Sequence, residues 1–551
     1  MKAGKHILII CALALALPAC GGGSSSPAPV STAQIPAPGG AGGVSSKRIS
    51  GTITYDHIPH DRVSSGLDYA NMTARPARGI IVQLVERDGT VLAATVSDET
   101  GAYEFTTQAE TDVQIRALAH LQNTGAAQWD FKVTDNTQDN ALYALSGSLS
   151  AIGNGDQIRD LHAASGWTGN AYAETRAAAP FAILSPVYEA VTAFAAIDGS
   201  VSFPPLELRW SVNNRSAIGA RESGDIGTSA YFPDGDSGSI YLLGDAGSDT
   251  DEYDPHVILH EWGHYFEHQL SRTDSIGGAH GLRDRLDARV AYGEGWGNAL
   301  AAMITGDPVY RDSSGTGQGF GFSFDLEKNN HTNAGWFNEG SVGSILYDLY
   351  DDTADGADMI ELGLGPIYQA MTSDDFKASV LFTTIFVFAD SLRNLDQMNQ
   401  GAINDLLAGQ SISGLGPSGE GEINSGAINS SLPIFQTAVT GAAPVEICSV
   451  NDAGRYNKLG NREFIYLDIA QAGDYTVSMI RRSGDKDRDP DFNIWQRDQL
   501  IMEAVSSVKD RETLQLSLAA GTYVIDAFDF KNINGNSSNT GDACYDFSVS
   551  Q

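Results

Sequence analysis

Apolar and polar residues alternate at both ends of the chain, while its middle carries a helical period. Residues 49–55, 79–85, 91–96 and 113–117 repeat every second position, as strands with one buried face do. Asp88-Gly89 and Thr100-Gly101 separate these runs as turns, so a small β-sandwich is predicted over 47–118. The same alternation at 464–469, 475–480, 513–518 and 523–528, with turns at Gly473-Asp474 and Gly521, predicts a second sandwich over 444–551. Between them, Ser185-Pro186 opens an apolar helix running to Phe194, and helical spacing recurs near 255–270, 294–305, 339–350 and 376–392. The chain therefore reads as multi-domain, with a mainly helical α+β domain over 119–443 flanked by two small all-β sandwiches. No internal repeat suggests a solenoid.

The first 46 residues follow neither pattern. Lys2 and Lys5 precede an apolar run over 7–17, and its eleven residues are too few to span a bilayer, so 1–19 reads as an export signal. Residues 20–46 are rich in Gly, Ser, Pro and Ala and lack core-forming side chains, which makes them a flexible tether. Leu17-Pro18-Ala19-Cys20 resembles the lipobox of bacterial lipoproteins, although Pro18 stands where a small residue is usual. The resemblance implies a lipid on Cys20, and Gly21 after it favours onward transport to an outer membrane. No later segment reads as long and apolar enough to be transmembrane.

Charge narrows the partners. Among 551 residues, 34 basic against 69 acidic ones give a net charge of -35, which repels nucleic acid and anionic headgroups. Membrane attachment is then expected only through the lipid. Of four cysteines, Cys11 and Cys20 lie in the N-terminal segment, leaving Cys448 and Cys544 as a disulfide candidate in an oxidising compartment.

The candidate chemistry lies in the middle. Asp254 is placed to cap a helix that has Pro255 in its first position, and His260-Glu261-Trp262-Gly263-His264 follows on that helix. One turn apart, His260 and His264 share a face and can bind one Zn²⁺, with Glu261 beside them to take a proton from the attacking water. A string of this form arises by chance in about one chain in a hundred of this length. His256 and His268 extend the row but drift around the helix, away from a common ion.

The third ligand sets the subclass. Glu267 and Leu270 stand where a metzincin needs Gly and His, which excludes that class. Ala291-Tyr292-Gly293-Glu294-Gly295-Trp296-Gly297-Asn298 reads as the first turn of a second helix carrying an inward carboxylate. The two helices resemble those of thermolysin-like and fungalysin-like metallopeptidases, the gluzincins, over roughly 250–350. That resemblance implies a zincin catalytic domain with Glu294 as third zinc ligand, and His280 and Glu267 are the remaining candidates. Those families carry Asp where Asn298 stands, so Asn298 is expected to orient His260 without adding charge.

Further expectations follow from the same resemblance. His331-Thr332-Asn333-Ala334-Gly335 is similar to the thermolysin-like segment that supplies an oxyanion donor, which points to His331, whereas a fungalysin-like register puts Trp336 nearer that place; Tyr292 is the weaker candidate, and a surface histidine or helix cap the bland alternative. The strand at 239–243 is either a sheet edge that pairs with extended peptide or a core strand. Residues 78–105 resemble the regulatory-like β-domains of carboxypeptidases, and 489–492 with 518–523 resemble the domain that follows the catalytic domain in secreted bacterial peptidases. Calcium is a candidate at Asp485, Asp487, Asp489 and Asp491, and at Asp234, Asp236, Asp245, Asp249 and Asp251. The reading is a zinc endopeptidase acting on protein or peptide, lipid-anchored to the bacterial envelope or extracellular. Its rivals are an inactive scaffold and a zinc hydrolase of cell-wall peptide.

Overall fold

The computed structural model describes residues 46–551 apart from 109–110, 154, 353–358 and 535–539. The expected export signal, Cys20 and all but the last residue of the tether lie outside the described residues. The chain divides into two compact units, one comprising the described residues up to 258 with 311–322, the other 259–310 with 323–551.

In the first unit, Lys47–His57 alternates as expected, burying Ile49, Ile53 and Tyr55. It pairs antiparallel with Ala102–Thr107 and parallel with Gln157–Ile158 and Leu161–Ala163. The second sheet does not close at residue 118. Its strand Asp112–Thr124 runs through that position, with Ile80–Glu86 on one side and Gln128–Asp135 on the other. From there the sheet continues through Leu206–Trp210 and Ser237–Leu242 to Ala230–Asp234. Ser237–Leu242 is thus an inner, almost wholly buried strand, and the edge position belongs to Ala230–Asp234.

Helix α1, Ala179–Ile197, begins six residues before the predicted start and carries Pro186 within it. By length and composition it could cross a membrane, contrary to the expectation for segments after the signal. Its apolar side chains Ile183, Val187, Val191 and Phe194 are fully buried.

These strands overturn the predicted fold class. Strand outweighs helix, 36% to 23%, and no large, mainly helical middle domain is present among the described residues. The first half of 119–443 is strand and loop around α1, and only 255–409 is rich in helix. Alternation over two to five residues is a weak local signal, and the parallel pairing of Leu206–Trp210 with Gln128–Asp135 joins residues far apart in sequence.

The second unit holds α2 (Pro255–Leu270, from Leu259 onward), α3 (Ala288–Thr305) and α4 (Glu339–Asp348). The helix predicted over 376–392 is two pieces, Asp374–Lys377 and Ile385–Leu395. Asp274 pins the break between them, accepting from Thr383 N at 2.7 Å and donating to its Oγ1 at 3.0 Å. Beyond residue 434 two sheets of five and four strands share a core that includes Ile465, Leu467, Val477, Ile525 and Phe547. Cys448 and Cys544 face each other on neighbouring antiparallel strands and are joined by a disulfide.

Candidate metal centre

Two glycines and one cap explain how α2, α3 and α4 come so close. Asp287 caps α3, its carboxylate accepting from Arg289 N at 3.0 Å, so the helix starts at Ala288 and Glu294 lies in its second turn, not its first. A Cβ on Gly297 would lie 2.8–3.0 Å from the ring of His260, and one on Gly295 would lie 2.6 Å from Val342 of α4. Only glycine leaves room there. Trp296 Nε1 donates to Gly263 O across the same contact at 3.1 Å.

This packing brings three side chains to a point. His260 Nε2 lies 3.1 Å from His264 Nε2 and 3.1 Å from Glu294 Oε2, and His264 Nε2 lies 3.3 Å from Glu294 Oε2. An ion about 2.0–2.1 Å from each ligand atom sets tetrahedral neighbours roughly 3.3 Å apart, so the donor set fits zinc. Asn298 Oδ1 lies 3.0 Å from His260 Nδ1. As an acceptor, it requires the proton on Nδ1 and leaves the Nε2 lone pair facing the other two groups.

The electrostatics agree with a charged ligand. Burial works against ionisation of Glu294, but the neighbouring His264 and His280 hold its carboxyl well below the usual range. Glu267, the alternative ligand, is 1% exposed, and burial pushes its carboxyl well above the usual range. It belongs to none of the groups that could hold a metal ion among the described residues. Glu261 is half-buried and near enough to His280 to raise that residue's pKa.

His280 is the residue that sequence reasoning undervalued. Its Nε2 lies 3.2 Å from Glu294 Oε2 and its Nδ1 2.6 Å from Glu339 Oε2. Burial opposes its charge, yet Glu294, Glu339 and Glu261 together raise its pKa to about 9.

His331 is not brought to this cluster by any contact among the described residues. Its Nε2 lies 2.9 Å from Ser344 Oγ, its ring covers Gly340 at the start of α4, and burial lowers its pKa. Tyr292 is wholly buried against Phe376 and Phe388. Asp254 does precede α2, but its carboxylate accepts from Ser313 N at 3.0 Å and lies 3.0 Å from His60 Nε2.

Of the acidic residues named from sequence, Asp249 and Asp251 converge, joined by the unforeseen Asp312, with carboxylate oxygens within 4.8 Å of one another. Burial first, then the neighbouring carboxylates, raises the pKa of Asp249 to about 7 and of Asp312 to about 8. At the C-terminal candidate, Asp489 meets Lys509 Nζ at 2.8 Å and Asp491 is wholly buried.

No curated protein matches this chain. Among solved structures it is similar to the pre-peptidase C-terminal domain of a collagenase from Bacillus anthracis, with 9% identity over 21% of this chain and 93% of that one, at a TM-score of 0.16. It is also similar to the periplasmic inhibitor of g-type lysozyme from Aeromonas hydrophila, with 15% identity over 21% and 95% at 0.14. Likenesses this slight carry no inference. A family model described as the mycolysin C-terminal domain matches residues 212–381, less than half of the chain but including His260, His264, His280, Glu294 and Glu339. The match associates this stretch of the chain with a domain found in secreted peptidases.

Proposed function

We propose that the chain is a zinc-dependent endopeptidase. The observation that carries this reading is the mutual 3.1–3.3 Å spacing of His260 Nε2, His264 Nε2 and Glu294 Oε2. Zinc bound by these atoms supplies a Lewis acid that polarises a peptide carbonyl and acidifies water. Asn298 fixes the tautomer and orientation of His260 through Nδ1. Glu261, adjacent to His260 on the helix, accepts the proton of the attacking water and returns it to the departing amine. The match to a peptidase-associated domain supports protein or peptide as the substrate.

The lipobox-like segment and the tether support a lipid on Cys20 as the attachment to a bacterial envelope, and the charge of -35 leaves no other membrane contact in this reading. Calcium is proposed as a second cation, at Asp249, Asp251 and Asp312, whose oxygens are ligands of the right type.

Zinc content and cleavage of an unstructured protein test the reading together. Wild-type protein is expected to hold one zinc and to lose activity to a chelator. Glu261→Gln keeps its zinc and loses almost all turnover, because it touches water and not the ion. Glu294→Ala loses both. Full zinc and full activity in Glu294→Ala would reject the ligand set.

A further inference from the structure

The loop between α2 and α3 is held from two sides. On one, Asn338 Nδ2 at the start of α4 donates to Leu282 O at 2.8 Å and to Asp284 O at 3.2 Å. On the other, three consecutive residues before the strand Arg462–Ile469 grip its first half. Tyr456 Oη donates to Ile276 O at 3.0 Å, Asn457 Nδ2 to Gly277 O at 2.9 Å, and Lys458 Nζ to Ala279 O at 2.6 Å. Gly278 within this stretch has φ +102°, and a Cβ there would lie 2.4 Å from the Tyr456 ring. The next residue after this clamp is His280.

His280 is thus delivered to a fixed place. Its Nδ1 is 2.6 Å from Oε2 of the buried Glu339 carboxylate. Its Nε2 is 3.2 Å from Glu294 Oε2. The donors of His260, His264 and Glu294 form one cluster, those of His280, Glu294 and Glu339 another, and Glu294 is the member they share.

We infer that His280 is a positioning residue for the metal centre, gripping the Glu294 carboxylate between Glu339 and the histidine pair, and that the segment 456–458, between the strands Val445–Ser449 and Arg462–Ile469 of the C-terminal sheets, holds the loop that presents it. This rests on the zinc reading above. It gives the C-terminal part of the chain a role at the metal centre, through the backbone of the loop and not through contact with substrate. Groups hydrogen-bonded to metal ligands commonly change metal affinity by about 10- to 100-fold when removed, so the effect is measurable without any substrate.

The experiment loads full-length protein with cobalt(II) and records its visible absorption bands and its release to a competing chelator. His280→Ala is expected to bind cobalt about 10- to 100-fold more weakly, with altered bands. His280→Gln places an amide donor near the lost Nε2 and is expected to recover most of the affinity and the wild-type spectrum. A loss of packing alone would not be rescued in this way. Affinity and spectrum unchanged in His280→Ala, or equally damaged in both variants, would overturn the inference while leaving the zinc reading intact. Wild-type protein that binds no cobalt would overturn both.

Discussion

Arg289 of α3 places its Nη1 3.2 Å from Asp526 Oδ2 on the strand Gly521–Asp529, with both side chains at most 2% exposed. Arg289 also meets Asp287 at 2.8 Å, and Arg462 approaches the same Asp526 oxygen at 2.7 Å. The network is buried and held by these ion pairs, although Arg462 Nε and Asp526 Oδ1 within it lack a hydrogen-bond partner. Removing one member leaves charges in a medium that solvates them poorly. Arg289→Met is therefore expected to destabilise the protein by about 3–5 kcal/mol, read from denaturant unfolding. A change below about 1 kcal/mol would show that Arg462 and solvent compensate Asp287 and Asp526.

Gly297→Ala separates helix stability from metal binding. In a helix interior, alanine is worth roughly 1 kcal/mol more than glycine, so the change should favour α3 as an isolated helix. In place, its Cβ would meet the ring of His260 at under 3.0 Å. The expected outcome is a folded protein with zinc content well below one, by metal analysis after dialysis. Stoichiometric zinc would mean that α2 and α3 can part without cost to the centre.

His331→Ala should not show the loss of a hundredfold or more in kcat expected for an oxyanion donor. The ring is engaged with Ser344, whose Oγ also donates to Leu326 O at 2.7 Å, so the foreseen effect is on local stability, with kcat changed less than about tenfold. Steady-state kinetics with unchanged zinc content decides between the two roles.

Glu463 sets a pH dependence for the second unit. Burial raises its pKa to about 8 from an ordinary 4.5, against the lowering effect of hydrogen bonds such as that from Cys448 N. The folded protein therefore keeps a proton that the unfolded chain has released. The stability gained from this is full below the ordinary value and is lost as pH rises through about 8. One proton gives a slope of at most about 1.4 kcal/mol per pH unit between those limits. Urea midpoints measured from pH 5 to 9 should fall in wild type and fall less steeply in Glu463→Gln, with the remaining slope left to groups such as Glu267 whose carboxyl is raised in the same direction.

Local chemistry is legible in this sequence where it obeys a short period. His260 and His264 share a face because four residues make about one helical turn. Glu294 and Asn298 repeat that spacing on α3, and the glycines between and beside them mark where α2 and α4 press in. His280 obeys no period, since it sits in an irregular loop and reaches the site through partners at 294 and 339. Asp312 joins Asp249 and Asp251 across some sixty residues, with no motif to announce it. The long sheet of the first unit was obscured for the same reason, because Asp112–Thr124 looks complete when only its antiparallel neighbour Ile80–Glu86 is considered.

The disulfide between Cys448 and Cys544 has a practical corollary for a protein proposed to cut peptides. It bridges residues 96 apart, so everything from the strand Arg462–Ile469 to Gly521–Asp529 lies inside one covalent ring. A single cut within that ring opens it without shedding a fragment. Self-digestion there would leave the apparent mass on a non-reducing gel unchanged and become visible only after thiol treatment, when the chain falls into two bands.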